Sequence, residues 1–192
     1  MDGASSPTLE GFRVKIALST VLLLAMTLAP GKEIRLEPAM KDPVTKAFRF
    51  VLQRQTNSLV WSAKAMPAEK YGFRPTSQQL TFSQIIAKVI KDNYHFCSAA
   101  AEKPAPVESV DPSEGKEKLI HVLSASFDFC KQSLVHLHDR SLGDTVHFSR
   151  ETWGGRSAAL FGLVEAWADR YRQAAQYLRL NGLDTPTAAV RD

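Results

Sequence analysis

Residues 156–182 read RSAALFGLVEAWADRYRQAAQYLRLNG, and the helical pattern of this stretch indicates the type of fold. Its apolar side chains recur at alternating spacings of four and three, which is typical of a helix that packs along a bundle seam. They are Leu160, Val164, Trp167, Tyr171, Ala174 and Leu178. Gly182 follows the pattern, and glycine is favoured in the left-handed conformation that ends helices. The stretch therefore predicts a helix from about Arg156 to Leu180.

Two earlier segments carry the same helical periodicity. Asp42 and Pro43 suit the N-cap and first position of a helix that we expect to end near Met66, before a proline. A second helix should begin at Thr81, which forms a capping box with Gln84, and should end near residue 101. Residues 66–80 are the predicted connection between them.

A third segment begins after a proline-containing linker over residues 102–110. Asp111 and Pro112 predict its start, and its apolar pattern predicts fraying near His138. Residues 139–155 are interpreted as a loop. Because no segment alternates with period two, we expect no sheet. The sequence thus predicts an all-α fold, a four-helix bundle over residues 42–188 with a tail at 189–192.

The N-terminal residues indicate a targeting segment. Ile16 to Ala29 form an uncharged run after Arg13 and Lys15, the layout of a secretory signal, and the run is too short for a bilayer, which needs about 20 apolar residues. We interpret residues 1–31 as a signal peptide or membrane anchor, with cleavage after Gly31, and residues 32–41 as a linker. The bundle would then be exported, periplasmic or extracellular, and would meet a membrane only through an uncleaved leader.

Composition excludes several classes of protein. The 192 residues contain 24 Lys and Arg against 20 Asp and Glu, a net charge of +4 with the charges interspersed. We therefore expect no nucleic-acid partner, which needs a basic block. The chain has no zinc-finger spacing, glycine-rich phosphate loop, HExxH or GxSxG motif. We expect the tryptophans to pack in the core and lid rather than stack on bases; they are Trp61, Trp153 and Trp167.

Four stretches resemble the DinB-like superfamily of helical bundles. They are MPAEKYGFRPT (66–76), TFSQIIAKVIKDNYHFCSAA (81–100), SFDFCKQSL (126–134) and GRSAALFGLVEAWADRYRQAAQYLRLNGLDTPTA (155–188). The resemblance covers about residues 43–188 and implies the same four-helix bundle. Exported bacterial members look similar to this chain, and homodimers are plausible for such bundles.

The resemblance also implies a divalent metal held by three histidines, one on the second helix and two, spaced H-x3-H, on the fourth. Enzymatic members include thiol-dependent transferases and isomerases. This chain carries Lys88, Ala166 and Arg170 at those positions. Arginine and protonated lysine offer no lone pair, and alanine has no ligand atom in its side chain. We therefore expect no metal and no other cofactor.

The five histidines do not predict a replacement metal site. His136 and His138 are two residues apart, so a helix would not place them on one face. His121 lies far from them along the same helix, and His95 and His147 belong to other segments. We interpret all five as solvated or hydrogen-bonded side chains.

Two alternatives remain for the former metal cleft. Lys88 and Arg170 should converge there and could bind an anion by charge-assisted hydrogen bonds. Alternatively, Asp169, Glu165 and Asp92 neutralise them in an ion-pair network that replaces the metal as a cross-link between helices. Ala166 would line the same cleft, so the candidate site comprises Lys88, Arg170, Ala166, Asp169 and Glu165, with no catalytic residue.

The two cysteines are expected to be free. If the second and third helices form an antiparallel hairpin, Cys97 and Cys130 lie about 20 Å apart in height, well beyond the roughly 7 Å between Cα atoms that a disulfide tolerates. We therefore predict two buried thiols that pack as small apolar side chains.

The sequence supports two functions. The first is a non-catalytic, exported DinB-like module that binds a small anionic molecule or a partner protein. The alternative is a metal-independent enzyme that resembles thiol transferases or isomerases and uses Lys88 and Arg170 electrostatically. The loss of the three histidines favours the binding module.

Overall fold

The computed structural model describes residues 39–106, 110–149 and 151–186. Within these ranges it contains four α-helices: α1 (Pro43–Ala65), α2 (Phe82–Ala101), α3 (Lys116–Ser133) and α4 (Arg156–Leu180). The predicted bundle of four helices is confirmed, and both ends of α4 lie where the sequence places them. The proposed signal over residues 16–29 lies outside the described residues. In the described part of the chain, no helix has the length and apolarity needed to cross a membrane.

Helices α2 and α3 run in the same direction. The Asn93 side-chain amide donates to the Ser126 hydroxyl at 2.9 Å, and one turn further along both helices Cys97 meets Cys130. Residues 102–115 must therefore connect the end of α2 to the opposite end of the bundle, where α3 begins; those that the structure describes, 102–106 and 110–115, are here called the crossover segment. Helix α2 is about 30 Å long, and a segment of this length at about 3.3 Å per extended residue covers that distance.

The parallel arrangement makes the prediction of free cysteines wrong. Cys97 and Cys130 form a disulfide, with their Cα atoms 5.2 Å apart, and the structure has no free cysteine. The prediction failed because it treated α2 and α3 as an antiparallel hairpin. In that geometry the two residues would lie at different heights, whereas parallel helices place them at the same level.

Helix α4 runs opposite to α2. Near the middle of both helices, the Trp167 indole N–H donates to the Asn93 amide oxygen at 2.6 Å. Near the end of α4, the Tyr177 hydroxyl donates to the Leu80 carbonyl, just before α2 begins, at 2.9 Å. The two helices are therefore antiparallel neighbours over most of their length.

Helix α1 runs opposite to α3. Arg49, near the start of α1, donates to the Leu137 carbonyl beyond the end of α3 at 2.6 Å. At the other end, the Lys116 ammonium donates to the Lys64 carbonyl at 2.8 Å. Around the bundle the order of neighbours is α1, α3, α2, α4, with α1 and α4 also in contact.

A buried tryptophan lies at the centre of the bundle. The Trp167 ring stacks on Phe48 of α1 with ring centroids 5.9 Å apart and packs on Phe127 of α3 at 5.8 Å. Its N–H reaches Asn93 of α2, whose amide in turn reaches Ser126. Trp167, Asn93 and Ser126 are all fully buried. Each is hydrogen-bonded, which avoids the desolvation cost of an unpaired buried polar group.

Two of the predicted helix termini are confirmed in detail. Thr81 and Gln84 form the reciprocal capping box that starts α2. At the end of α4, the Leu183 N–H donates to the Leu178 carbonyl at 3.0 Å and Gly182 has φ of +71°. This is a Schellman motif, in which glycine occupies the left-handed position.

Asp42 does not cap α1 with its side chain, contrary to the prediction. It has φ of +54°, and the N–H groups of Val44 and Thr45 donate instead to the Asp139 carboxylate at 2.9 and 2.8 Å. The Asp42 carboxylate turns the other way and accepts from the Asp139 N–H at 3.0 Å and contacts His138 Nδ1 at 2.9 Å. Each aspartate carboxylate thus accepts from the backbone of the other segment: Asp139 from the start of α1, and Asp42 from the segment after α3.

The predicted bounds of α3 are also corrected. The helix begins at Lys116 rather than near Asp111, whose carboxylate is used in a turn with the Ser113 N–H at 2.8 Å. Gly115 has φ of +89°, which separates this turn from the helix. The helix ends at Ser133, and the apolar pattern that suggested a longer helix continues in a non-helical turn that buries Leu134 and Leu137 but leaves Val135 exposed.

A small β-hairpin corrects the expectation of no sheet. Strand β1 (Thr145–His147) pairs antiparallel with β2 (Trp153–Gly155) inside the predicted loop. Only Val146 of β1 is buried, and Trp153 is 68% exposed, so Trp153 is not part of the core or of a packed lid. Each strand has three residues, too few for alternation to reveal it in the sequence.

Candidate ligand-binding site

A groove with a volume of about 970 Å³ runs along the outer face of α2. The crossover segment forms one wall and the β-hairpin contributes the other, so three parts of the chain build it. Its polar lining residues are Lys88, Lys91, His95, Ser98, Glu102, Lys103 and His147. Its apolar lining residues are Ala87, Ile90, Tyr94, Ala99, Pro104, Ala105, Pro106, Val110 and Phe148. This size is within the range of small-molecule sites in proteins.

The charge on the groove is predominantly positive. Lys88 and Lys91 lie on α2 one turn apart, so their side chains project from the same face. Lys103 adds a third ammonium beyond the end of α2. Among the lining residues that the structure describes, Glu102 is the single carboxylate, and it already accepts from the Arg156 guanidinium at 2.8 Å.

Packing against α2 holds the hairpin wall in place. The Phe148 N–H donates to the Thr152 carbonyl at 2.8 Å, which closes the hairpin loop. The Phe148 ring then packs against His95 and Phe96 of α2, with ring centroids 6.3 Å from each. An aromatic side chain therefore borders the groove at the middle of α2.

The groove also contains a buried hydroxyl. Ser98 lines it about three turns after Lys88, and its Oγ atom is buried without a hydrogen-bond partner among the described residues. Buried hydroxyls usually have a partner, so a ligand group or an ordered water at this end of the groove would satisfy it.

A separate ion-pair cluster joins α2 and α4. The Arg170 guanidinium donates to the Asp169 carboxylate at 2.8 Å, and its Nε lies 3.9 Å from a carboxylate oxygen of Asp92. The side chains of Arg170 and Asp92 are only 15% and 16% exposed. The pair Arg170 and Asp92 therefore lies largely out of the solvent, whereas the Asp169 side chain is 44% exposed.

The pKa of Asp92 is raised, chiefly because burial disfavours its charged form. The positive charges of Lys88 and then Arg170 oppose this shift and favour the carboxylate. Asp92 is thus the group on which the two cations act together, although Lys88 lines the groove and Arg170 does not. Removing either cation would leave the carboxylate less well compensated.

The structure separates the five predicted site residues into two places. Lys88 is exposed and lines the groove, whereas Arg170 and Asp169 belong to the ion-pair cluster. Ala166 is half-buried and Glu165 is exposed, and neither lines the groove. Sequence reasoning missed Lys91 and Lys103. Lys91 could have been found, since it follows Lys88 at helical spacing, but Lys103 could not without the path of the crossover segment.

The side chains at the three positions that sequence analysis compared with a three-histidine site do not suit a metal ion. Lys88 and Arg170 are cationic, and Ala166 has no donor atom. Across residues 39–106, 110–149 and 151–186, no three His, Cys, Asp or Glu side chains are grouped so that they could hold a metal. His138, which contacts Asp42, has a role at the bundle end instead.

Known structures share this fold at low sequence identity. A DinB-like protein from Bacillus cereus has a TM-score of 0.64 and 13% identity, over 77% of this chain and 98% of that one. A conserved protein from Enterococcus faecalis has a TM-score of 0.59 and 18% identity, over 74% and 98%. The resemblance to the DinB-like superfamily is therefore confirmed for the fold.

An enzyme with a similar bundle is also found. The mycothiol-dependent maleylpyruvate isomerase matches with a TM-score of 0.53 and 11% identity, over 66% of this chain and 59% of its own. This chain thus spans about three-fifths of that enzyme. No family model matches the sequence, and no curated protein matches it.

Proposed function

We propose that this chain, whose bundle has the DinB-like fold, is a non-catalytic module that binds a small anionic molecule without a metal. The observation that carries the proposal is the groove on α2, whose described lining includes Lys88, Lys91 and Lys103 but only one carboxylate, Glu102, which is already paired with Arg156. An excess of ammonium groups around a concave site favours an anion through charge-assisted hydrogen bonds.

The ion-pair cluster has a different role in this proposal. Arg170 is committed to Asp169 and Asp92, so it stabilises the contact between α4 and α2 and does not bind the ligand. It takes over the cross-link that a metal supplies in the superfamily. The sequence left two alternatives for these residues, and we propose that Lys88 belongs to the anion site and Arg170 to the ion-pair network.

Calorimetric titration of the full chain with inorganic phosphate and with octanoate tests the binding function. We expect at least one anion to bind, and we expect Lys88→Gln with Lys91→Gln to weaken it at least tenfold. Lys118→Gln is the matched control, since Lys118 is an exposed lysine on α3 outside the groove. Equal binding by the groove variant and the control would reject the site.

We further propose that the chain is exported. The uncharged run over residues 16–29 has the layout of a signal, and a disulfide between Cys97 and Cys130 suits an oxidising compartment. Fractionation of bacteria that express the full chain should find it outside the cytoplasm, and deletion of residues 1–31 should retain it inside. Full-length chain in the cytoplasm would contradict the proposal.

The alternative is a metal-independent enzyme related in chemistry to thiol transferases or isomerases. Its support is the likeness in fold to the mycothiol-dependent isomerase. A turnover assay with thiol substrates distinguishes the two functions. Turnover that is lost in Lys88→Ala and Arg170→Ala would favour the enzyme, and absence of turnover beside measurable anion binding would favour the module.

A further inference from the structure

We infer that the ligand of the groove is an elongated amphipathic anion, with a carboxylate or phosphate head and an unbranched apolar body. This inference rests on the proposed function and adds the class of ligand to it. Three features carry it: where the lysines lie, what lies between them and Ser98, and the length of the groove.

The head group is placed by the lysine pair. Lys88 and Lys91 are one helical turn apart on the same face of α2, so their ammonium groups flank one position near the start of the groove. Asp92 does not line the groove, and although the charges of Lys88 and Arg170 both act on it, its carboxylate lies 3.9 Å from Arg170 on the α4 side. Two ammonium groups that share one site favour a compact anionic head.

The body of the ligand is placed by apolar side chains. Beyond Lys91 the apolar lining includes Tyr94, Ala99, Val110 of the crossover segment and Phe148 of the hairpin. Polar side chains also line this part, and an ordered water beside the apolar chain would satisfy the Ser98 hydroxyl among them. An inorganic anion would leave these surfaces in contact with water. An apolar chain that covers them gains the free energy of hydrophobic burial.

The groove is elongated because it follows a helix. From Lys88 to Glu102 the lining residues extend about 21 Å along α2 at 1.5 Å per residue. A compact ligand would fill only part of this length, whereas a single extended chain follows it. The buried Ser98 hydroxyl marks the far part of the groove.

A chain-length series tests the inference on the full protein, below the micelle concentrations of the ligands. Butanoate, octanoate, dodecanoate and dodecyl phosphate are titrated by calorimetry, with 1-dodecanol as the neutral control. We expect affinity to rise with chain length, by up to about fourfold per buried methylene. The neutral alcohol should bind at least tenfold more weakly than dodecanoate. Comparison of the two twelve-carbon anions identifies the preferred head.

The chain-length series distinguishes failure of the amphipathic ligand from failure of anion binding itself. If butanoate binds as tightly as dodecanoate, the amphipathic ligand is wrong and anion binding stands. If no anion binds, both are wrong. If dodecanol binds as tightly as dodecanoate, the groove is apolar in function and the anionic site is rejected.

A groove-filling variant provides a second test. Ser98→Leu should weaken dodecanoate at least tenfold and leave butanoate unchanged, because the added side chain occupies the far part of the groove. Gln176→Leu is the control, at an exposed position on α4. If Ser98→Leu does not fold by circular dichroism, Ala105→Leu, at a half-buried lining position just beyond the end of α2, replaces it with the same expectation. Unchanged affinity for dodecanoate in a folded variant would overturn the inference.

Discussion

The Trp167 indole N–H donates a 2.6 Å hydrogen bond to the Asn93 amide oxygen, and this bond joins α4 to α2 inside the apolar core. Because Asn93 also donates to Ser126 of α3, one amide connects three helices. Phe48 of α1 stacks on the tryptophan ring and completes the contact with the fourth. A polar chain of this kind stabilises the bundle only while every member has its partner.

Asn93→Leu should therefore be strongly destabilising. It leaves the buried Trp167 N–H without an acceptor, and the lost bonds and desolvation together should lower the free energy of unfolding by about 2–4 kcal/mol. Urea denaturation at pH 7 measures this. Asn57→Leu, at an exposed position on α1, should change the value by less than about 0.5 kcal/mol. A loss below 1 kcal/mol in Asn93→Leu would show that the network contributes little.

The disulfide should contribute a larger share of stability. Denatured, unreduced protein should contain no free thiol, since Cys97 and Cys130 are bonded. Cys97→Ala with Cys130→Ala should lower the free energy of unfolding by about 3–4 kcal/mol, as expected for a closed loop of this length. The reduced unmodified chain is the control and should resemble the double variant. Two thiols per chain before reduction would contradict the assignment.

Acid should weaken the contact between Asp42 and His138. The hydrogen bond from His138, followed by that from the Asp139 N–H, holds the pKa of Asp42 below its usual value. A lowered pKa in the folded state means that the stabilisation is present above the unfolded pKa of about 4 and is lost as the pH falls through the folded pKa. Urea denaturation between pH 6 and pH 2.5 should show this loss.

Two variants test the assignment of that loss to the contact. Asp42→Asn and His138→Ala should each lower stability at pH 6 and make its decline with acid shallower. An unchanged slope in both would mean that other carboxylates account for the acid sensitivity.

Arg170→Met should destabilise the fold without affecting anion binding. It removes one of the cations that offset the burial of Asp92, so the pKa of Asp92 rises further and the protein loses about 1–3 kcal/mol at pH 7. A raised pKa means that stability is lost as the pH rises through it, so the variant should recover part of the loss at pH 5. Asp92→Asn combined with Arg170→Met should restore most of the stability, because the buried carboxylate is gone and Asp169, which also loses its partner, is 44% exposed. Weakened octanoate binding in the single variant would place Arg170 in the ligand site.

The proposed function requires no bound metal, and the metal content of the purified chain tests this directly. After exposure to zinc and nickel and dialysis, the full chain should retain far less than one ion per molecule by mass spectrometry. One tightly bound ion per chain would show that other residues rebuild a metal site, and the enzyme would then become the preferred function.

Local features of the fold could be predicted from the sequence. The bounds of α4 and the capping box at Thr81 depend on side chains within a few residues of one another, and both are correct. The cap of α1 was predicted wrongly because its acceptor, Asp139, lies more than 90 residues away. No local pattern reveals a carboxylate supplied from another segment.

The direction of α3 was not accessible from periodicity. The residues between α2 and α3 have the proline and polar composition of any connection, and nothing in them separates a hairpin from a crossover. That single choice determines whether Cys97 and Cys130 meet. It also determines whether Lys103 and Val110 form a wall beside Lys88, and so the candidate site could be predicted only in part.

The disulfide also determines how the chain would respond to cleavage. Cys97 and Cys130 flank the entire crossover segment, which lies between them in the sequence. A protease that cuts once within residues 103–114 would therefore produce two fragments that stay covalently joined. They would migrate as one species on a denaturing gel and separate only after a reductant is added. A nicked molecule could keep all four helices together, with a new pair of chain ends beside the groove.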